Sequence, residues 1–213
     1  MLLFAHTGIT LGLGWLIKEK AATRLSASSS KVEVTLSSVS GDVAVADMES
    51  GSSKSLERLT KIAAGLDLRV LVISSMLPDI IDKPLGQVVL RQSLNNGRIY
   101  SHTLLFLILI TVAGVLLYHN RHQIWMILLA SGTVTHLVMD KMWQTPQIFF
   151  WPLSGTGFPR GESTISGWAG QMFQELFSNP AVFIPELIGL VILLSFSVVL
   201  IKKGQVKSFL YHG

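Results

Sequence analysis

The stretch "HLVMDKMWQTPQIFFWP", residues 136 to 152, sets His136 and Asp140 four residues apart, so a helix carries them on one face, one turn apart. An imidazole and a carboxylate so placed can hold one divalent cation from a single element. "MLPDIID" sets Asp79 and Asp82 at i and i+3, and "GRIYSHT" sets Arg98 one turn before His102. His6 lies near the N-terminus in "MLLFAHTG", and Glu186 follows Pro185 in "NPAVFIPEL". Imidazole nitrogens with carboxylate oxygens form a borderline ligand set, suited to Zn²⁺ and also to Mn²⁺, Fe²⁺ or Co²⁺. An ion with open coordination positions makes hydroxide available near neutral pH and polarises a phosphoryl or acyl oxygen. Asp82 is the candidate general base of such a site. Arg98 is placed to neutralise a carboxylate or to grip a phosphate.

All of these groups are embedded in apolar sequence. The chain of 213 residues is 49% hydrophobic and 14% charged, with mean hydropathy +0.51. Soluble domains carry about 25% charged residues, so the composition points to a membrane protein. The absence of cysteine excludes a disulfide framework and a thiolate metal site. The net charge of +4 is spread between apolar runs rather than gathered into a basic stripe with interleaved aromatics. Membrane lipids, not nucleic acid, are therefore the expected partners. Nothing in the sequence indicates an oligomeric state.

Five apolar segments have to position the ionisable groups: Leu2–Ile17, about Leu66–Ile81, Ile99–Tyr118, Ile124–Met142 and Ala181–Ile201. A bilayer core takes ~20 helical residues. The third and fifth segments meet this and the fourth nearly does, whereas the first is short and glycine-rich. The second has a clean apolar run only from Val70 to Leu77, with Pro78 expected to break or kink it. The N-terminal stretch lacks a basic n-region and a small-x-small cleavage site, so it reads as a retained helix. The expected fold is all-α: one multi-pass transmembrane bundle of about five helices, spanning residues 1–213.

Within that bundle, residues 26–55 form a serine-rich insert, for which a flexible arm is the default. "VEVTL" and "DVAVA" alternate like two short strands around Ser40-Gly41, which would make a small hairpin. Ser55 then reads as the N-cap of a helix leading into the second segment. If five spans alternate, one side receives twelve of the 17 Lys and Arg residues, and the other receives Lys83, Arg91, Arg98, Lys141 and Arg160. Positive-inside counting puts the N-terminus outside and the insert and C-terminus in the cytoplasm. In that scheme His6, Asp79, Asp82, Arg98, His102, His136, Asp140 and Glu186 all fall at outer helix ends, because antiparallel helices bring alternate termini to one side. Trp143, Trp151 and Trp168 suit an interfacial belt. The glycine-containing stretch 152–167 reads as an outer loop covering the site.

Taken in order, the early His, "LPDIID", "GRIYSHT" and "HLVMDKMWQTPQIFFWP" resemble the YdjM-like membrane-bound metal-dependent hydrolases. Those proteins carry an LPDxD-like motif, an R-x-x-[ST]-H-[ST]-like motif, and H-x-x-x-D followed by an aromatic-Pro stretch. That family is distantly similar to zinc-dependent phospholipase C. The resemblance covers nearly the whole chain apart from the serine-rich insert. It implies His6, Asp79 (or Asp82), His102, His136 and Asp140 as ligands of a divalent metal. The chain lacks the phospholipase's downstream His–His–Glu set, its only histidine after Asp140 besides those named being His212. The expected activity is hydrolysis of a phosphoester, lipid-linked, at the outer membrane face. The rival readings are an ion or proton transporter using the same cluster, and a non-catalytic membrane scaffold.

Overall fold

The computed structural model describes residues 3–38, 51–161 and 165–212. Among them every regular element is helical. The chain divides into two compact units, one of Leu13–Leu66 and one of Met1–Gly12 with Asp67–Gly213.

The smaller unit holds most of α1 (Leu3–Ser38) and α2 (Gly51–Ala64). "VEVTL", expected as a strand, is instead helical and lies inside α1. With no described strand to pair with it, helix is the conformation that satisfies its backbone amides locally. The remainder of the hairpin, including "DVAVA", lies outside the described residues. The helix expected to start at Ser55 starts at Gly51 and does not run into the next segment. It stops at Ala64, and Lys18 Nζ donates to the Leu66 carbonyl just beyond it at 3.0 Å.

The larger unit takes residues 3–12 of α1 and all later elements. These are α3 (Leu68–Pro84), α4 (Leu104–Arg121), α5 (Trp125–Met139), the short α6 (Pro146–Phe149), α7 (Ile165–Ser178), α8 (Pro180–Lys202) and α9 (Val206–His212). Asp67 caps α3 by accepting from the Arg69 amide at 2.9 Å, and the Arg69 guanidinium grips the same carboxylate at 2.6 and 3.0 Å. Of the break or kink expected at Pro78, the break does not occur: α3 runs on to Pro84 and is followed by one wide turn, Leu85–Val89. Thr103 caps α4, so the third segment begins its helix at Leu104 rather than Ile99, and residues 99–102 are free to serve the site.

Helices α4 and α8 are long and apolar enough to cross a bilayer, and α5 is a shorter apolar helix. Leu109, Val112, Val115 and Leu116 of α4, and Leu187, Val191 and Leu194 of α8, face outward. Beside buried apolar residues such as Leu68, Leu71, Leu128, Leu137 and Met142, the interior holds Thr7, Thr10, Ser74, Ser75, Ser101, Thr103 and Thr133 together with the ionisable residues. Polar groups gathered inside under an apolar exterior suit lipid as the solvent.

Such helices approach through small residues rather than a hydrophobic effect. A Cβ on Gly132 of α5 would overlap the Ser74 hydroxyl and come within 2.8 Å of the Ser74 carbonyl carbon on α3. Gly189 of α8 lies as tightly against α1, where a Cβ would come within 2.8 Å of the Ala5 Cα. Gly8 and Gly12, a small-xxx-small pair in α1, abut Gly189 and Ile192.

Candidate metal centre

The close approach of α3 and α5 lets a side chain of one reach the backbone of the other. His136, in the last turn of α5, points Nδ1 at the Ser75 carbonyl of α3, 2.7 Å away. A carbonyl only accepts, so Nδ1 carries the proton and Nε2 keeps a bare lone pair. His102, on the loop before α4 rather than on the helix itself, places Nδ1 2.8 Å from Asp82 Oδ2. A carboxylate likewise leaves the proton on Nδ1 and Nε2 bare. These two Nε2 atoms stand 3.2 Å apart. Two lone pairs at that distance repel unless a cation or a proton lies between them.

Five more groups surround the pair. Asp79 Oδ1 is 3.6 Å from His102 Nε2 and 3.9 Å from His136 Nε2. Asp140, the residue that ends α5, has Oδ2 3.9 Å from both of those nitrogens. Its Oδ1 lies 3.2 Å from Nε2 of His6. That contact is within ion-pair reach but is not aligned as a hydrogen bond, and both ring nitrogens of His6 are buried without a hydrogen-bond partner. The His6 ring stacks on His136 at 4.2 Å between centroids. At the rim, Arg98 Nη2 pairs with Asp140 Oδ2 at 2.8 Å and Lys83 Nζ with Asp79 Oδ2 at 2.7 Å.

The arrangement fits a cation. His6, His136 and Asp140 form one convergent group and Asp79, His102 and His136 another, each with its donor atoms within 4.8 Å of one another. Two nitrogens bound to one tetrahedral ion at about 2.05 Å stand about 3.3 Å apart, close to the separation seen here. The orphaned nitrogens of His6 make the same point, since leaving a buried polar group unsatisfied costs about 1–3 kcal/mol.

The geometry separates residues whose sequence roles were open. Asp79 points into the cluster, whereas Asp82 stands behind His102. Asp82 Oδ2 accepts from the Ile99 amide at 2.7 Å and from the His102 ring, and Oδ1 accepts from the Ser101 amide at 3.0 Å. This carboxylate is fully buried and committed to backbone amides and to the His102 ring. Arg98 neutralises Asp140, one of its two expected uses, and keeps 41% of its side chain exposed. Glu186 is buried but belongs to neither convergent group, and its Oε2 accepts from the Phe4 amide at 2.9 Å. Lys83 had not been singled out, although its i,i+4 spacing from Asp79 was readable. The Ser75 carbonyl has no sequence signal at all. The expected covering loop is fastened beside the site: Asn95 and Asn96 donate to the Gly161 and Pro159 carbonyls at 3.1 and 2.9 Å. Tyr100, Trp151 and Phe158 form an aromatic cluster there, so Trp151 is more than a belt residue.

A helical bundle with a lipid-facing exterior and a His/Asp cluster inside is a multi-pass membrane protein with a possible metal site. The chain belongs to the YdjM inner membrane protein family, whose profile matches residues 1–206. No curated protein and no solved structure matches it.

Proposed function

We propose that this protein is a membrane-bound metal-dependent hydrolase that acts on a phosphoester carried by a lipid, with its site at the outer face of the membrane. The observation that carries the reading is the pair of bare imidazole nitrogens 3.2 Å apart, ringed by Asp79, Asp140 and His6. His102, His136, Asp79, Asp140 and His6 would hold one or two divalent cations, with zinc favoured by the nitrogen-rich set and manganese, iron or cobalt as alternatives. When bound, such an ion supplies an activated water and polarises a phosphoryl oxygen. Asp82 and the Ser75 carbonyl fix the two imidazoles in the tautomer that leaves Nε2 free. Arg98 and Lys83 reach the rim from the solvent side, where each can leave its carboxylate partner to meet an anionic headgroup. The twelve-to-five distribution of Lys and Arg supports an outside N-terminus and a cytoplasmic C-terminus.

Transport by the same cluster would need polar side chains continuing along the spans. From Leu187 to Leu194, α8 offers none, and between Leu104 and Leu117 the single hydroxyl of α4, on Thr111, is bonded back to the Leu107 carbonyl.

The test is metal content by mass spectrometry on detergent-purified protein, with His102→Ala and His136→Ala alongside. About one or two transition-metal ions per chain, lost in both variants, are expected, followed by hydrolysis of phospholipid or phosphoester substrates that a chelator abolishes. Metal-free wild-type protein after mild purification would refute the reading.

A further inference from the structure

Glu186 is the only charged residue of α8 before Lys202, and it is buried. An ionisable group inside an apolar helix is costly enough to call for a role. Its Oε2 accepts from the amide of Phe4 at 2.9 Å. That amide is among the first of α1, where N–H groups lack partners within the helix and the dipole favours a negative charge. One turn further along α8, Gly189 sits against the backbone of Phe4 and Ala5 with no room for a Cβ. The first turn of α1 is thus gripped by a hydrogen bond and by a backbone contact. His6, two residues past Phe4, is the sole member of the cluster that α1 supplies, and no hydrogen bond of its own ring holds it in place.

We propose that Glu186 is a positioning residue of the metal centre: through the Phe4 amide it sets the depth and rotation of α1 so that His6 meets Asp140 and His136. This rests on the cluster being a metal centre. The test measures zinc affinity by chelator competition in detergent for wild type, Glu186→Ala, Glu186→Gln, His6→Ala and the double variant H6A/E186A. Loss of a group that orients a ligand typically weakens metal binding tenfold to a hundredfold. E186A is expected to weaken zinc binding about tenfold. E186Q, whose amide oxygen still accepts, is expected to stay within about threefold of wild type. In the H6A background E186A should add less than about twofold, because the ligand it positions is already gone. If E186A does not fold, Glu186→Met, which keeps the length but accepts no hydrogen bond, takes its place.

E186A that binds like wild type, or that weakens H6A as much as it weakens wild type, would overturn the proposal and leave the metal centre standing. E186Q as weak as E186A would also overturn it, since the charge would then matter rather than the grip on Phe4. Wild type that binds no zinc would overturn the metal centre and this proposal together.

Discussion

Replacing Asp82 by Asn separates an orienting carboxylate from a general base. Asp82 Oδ2 receives the Ile99 amide at 2.7 Å and the His102 ring at 2.8 Å, and Oδ1 receives the Ser101 amide at 3.0 Å. Asparagine has only one oxygen. Its better orientation leaves that oxygen on Ile99 and His102 and turns its NH₂ toward the Ser101 N–H, donor against donor. The Ser101 amide loses its 3.0 Å contact to Oδ1 and keeps only its 3.1 Å contact to the remaining oxygen, a loss of about 0.5–1.5 kcal/mol. The bonds that remain become neutral and weaken by about half. His102 also loses the negative charge behind its Nδ1–H that makes Nε2 a stronger ligand. Metal affinity should fall tenfold to a hundredfold, equivalent to about 1.4–2.7 kcal/mol. Chelator competition in detergent reads the affinity, and far-ultraviolet circular dichroism checks that the helices persist. A folded D82N that binds zinc within about twofold of wild type would refute the orienting role. If that protein also lost turnover, the general-base role would be restored.

Three further outcomes follow from the structure. Gly132→Ala should lower stability by about 1–3 kcal/mol, because its Cβ has to push α3 from α5; Gly170→Ala, with open space around it, should not, and equal melting temperatures for the two would refute the packing argument. Saturating zinc at a hundred times its dissociation constant should stabilise wild type by about 2.7 kcal/mol in thermal melts; a shift of the same size in His136→Ala would place the ion elsewhere. The Arg69 guanidinium holds the Asp67 carboxyl below its usual value of 3.8, so the ionised form adds stability above about pH 4 and loses it as pH falls further. Asp67→Asn keeps the cap but not the charge. Wild type should therefore exceed D67N by under about 1 kcal/mol at pH 7, and the gap should shrink as pH falls below about 4; a gap that widens on acidification would contradict the sign.

The convergence of His6, Asp79, His102, His136 and Asp140 was legible because it depends only on helix count and direction, which apolar length and alternation supply. The choice between Asp79 and Asp82 was not. The two differ by one helical turn, and what separates them is a loop whose Ile99 and Ser101 amides turn toward Asp82. Backbone amides leave no mark on a residue pattern. The reach of Nδ1 of His136 to Ser75 was hidden for the same reason. "VEVTL" misled because five alternating residues match a strand equally well whether or not a neighbour exists to pair with it. Pro78 does not end α3, since a helix inside a bundle can carry a proline when neighbouring groups satisfy the freed backbone. Gly8-Ile-Thr-Leu-Gly12 was readable as a packing face, and it marks where α1 meets α8.

The polar interior has a consequence for how such a chain evolves. In most proteins the core is the reservoir of stability and the site a small local cost. Here the ionisable cluster is itself buried, beside the apolar core of Leu137, Met142 and Ile148. His6, whose buried ring nitrogens have no hydrogen-bond partner, is the group that an apolar residue of equal size would replace at a gain in the metal-free state. Selection for stability alone would therefore erode the site first. A drift of position 6 toward leucine or methionine would record loss of the cluster as a rise in melting temperature.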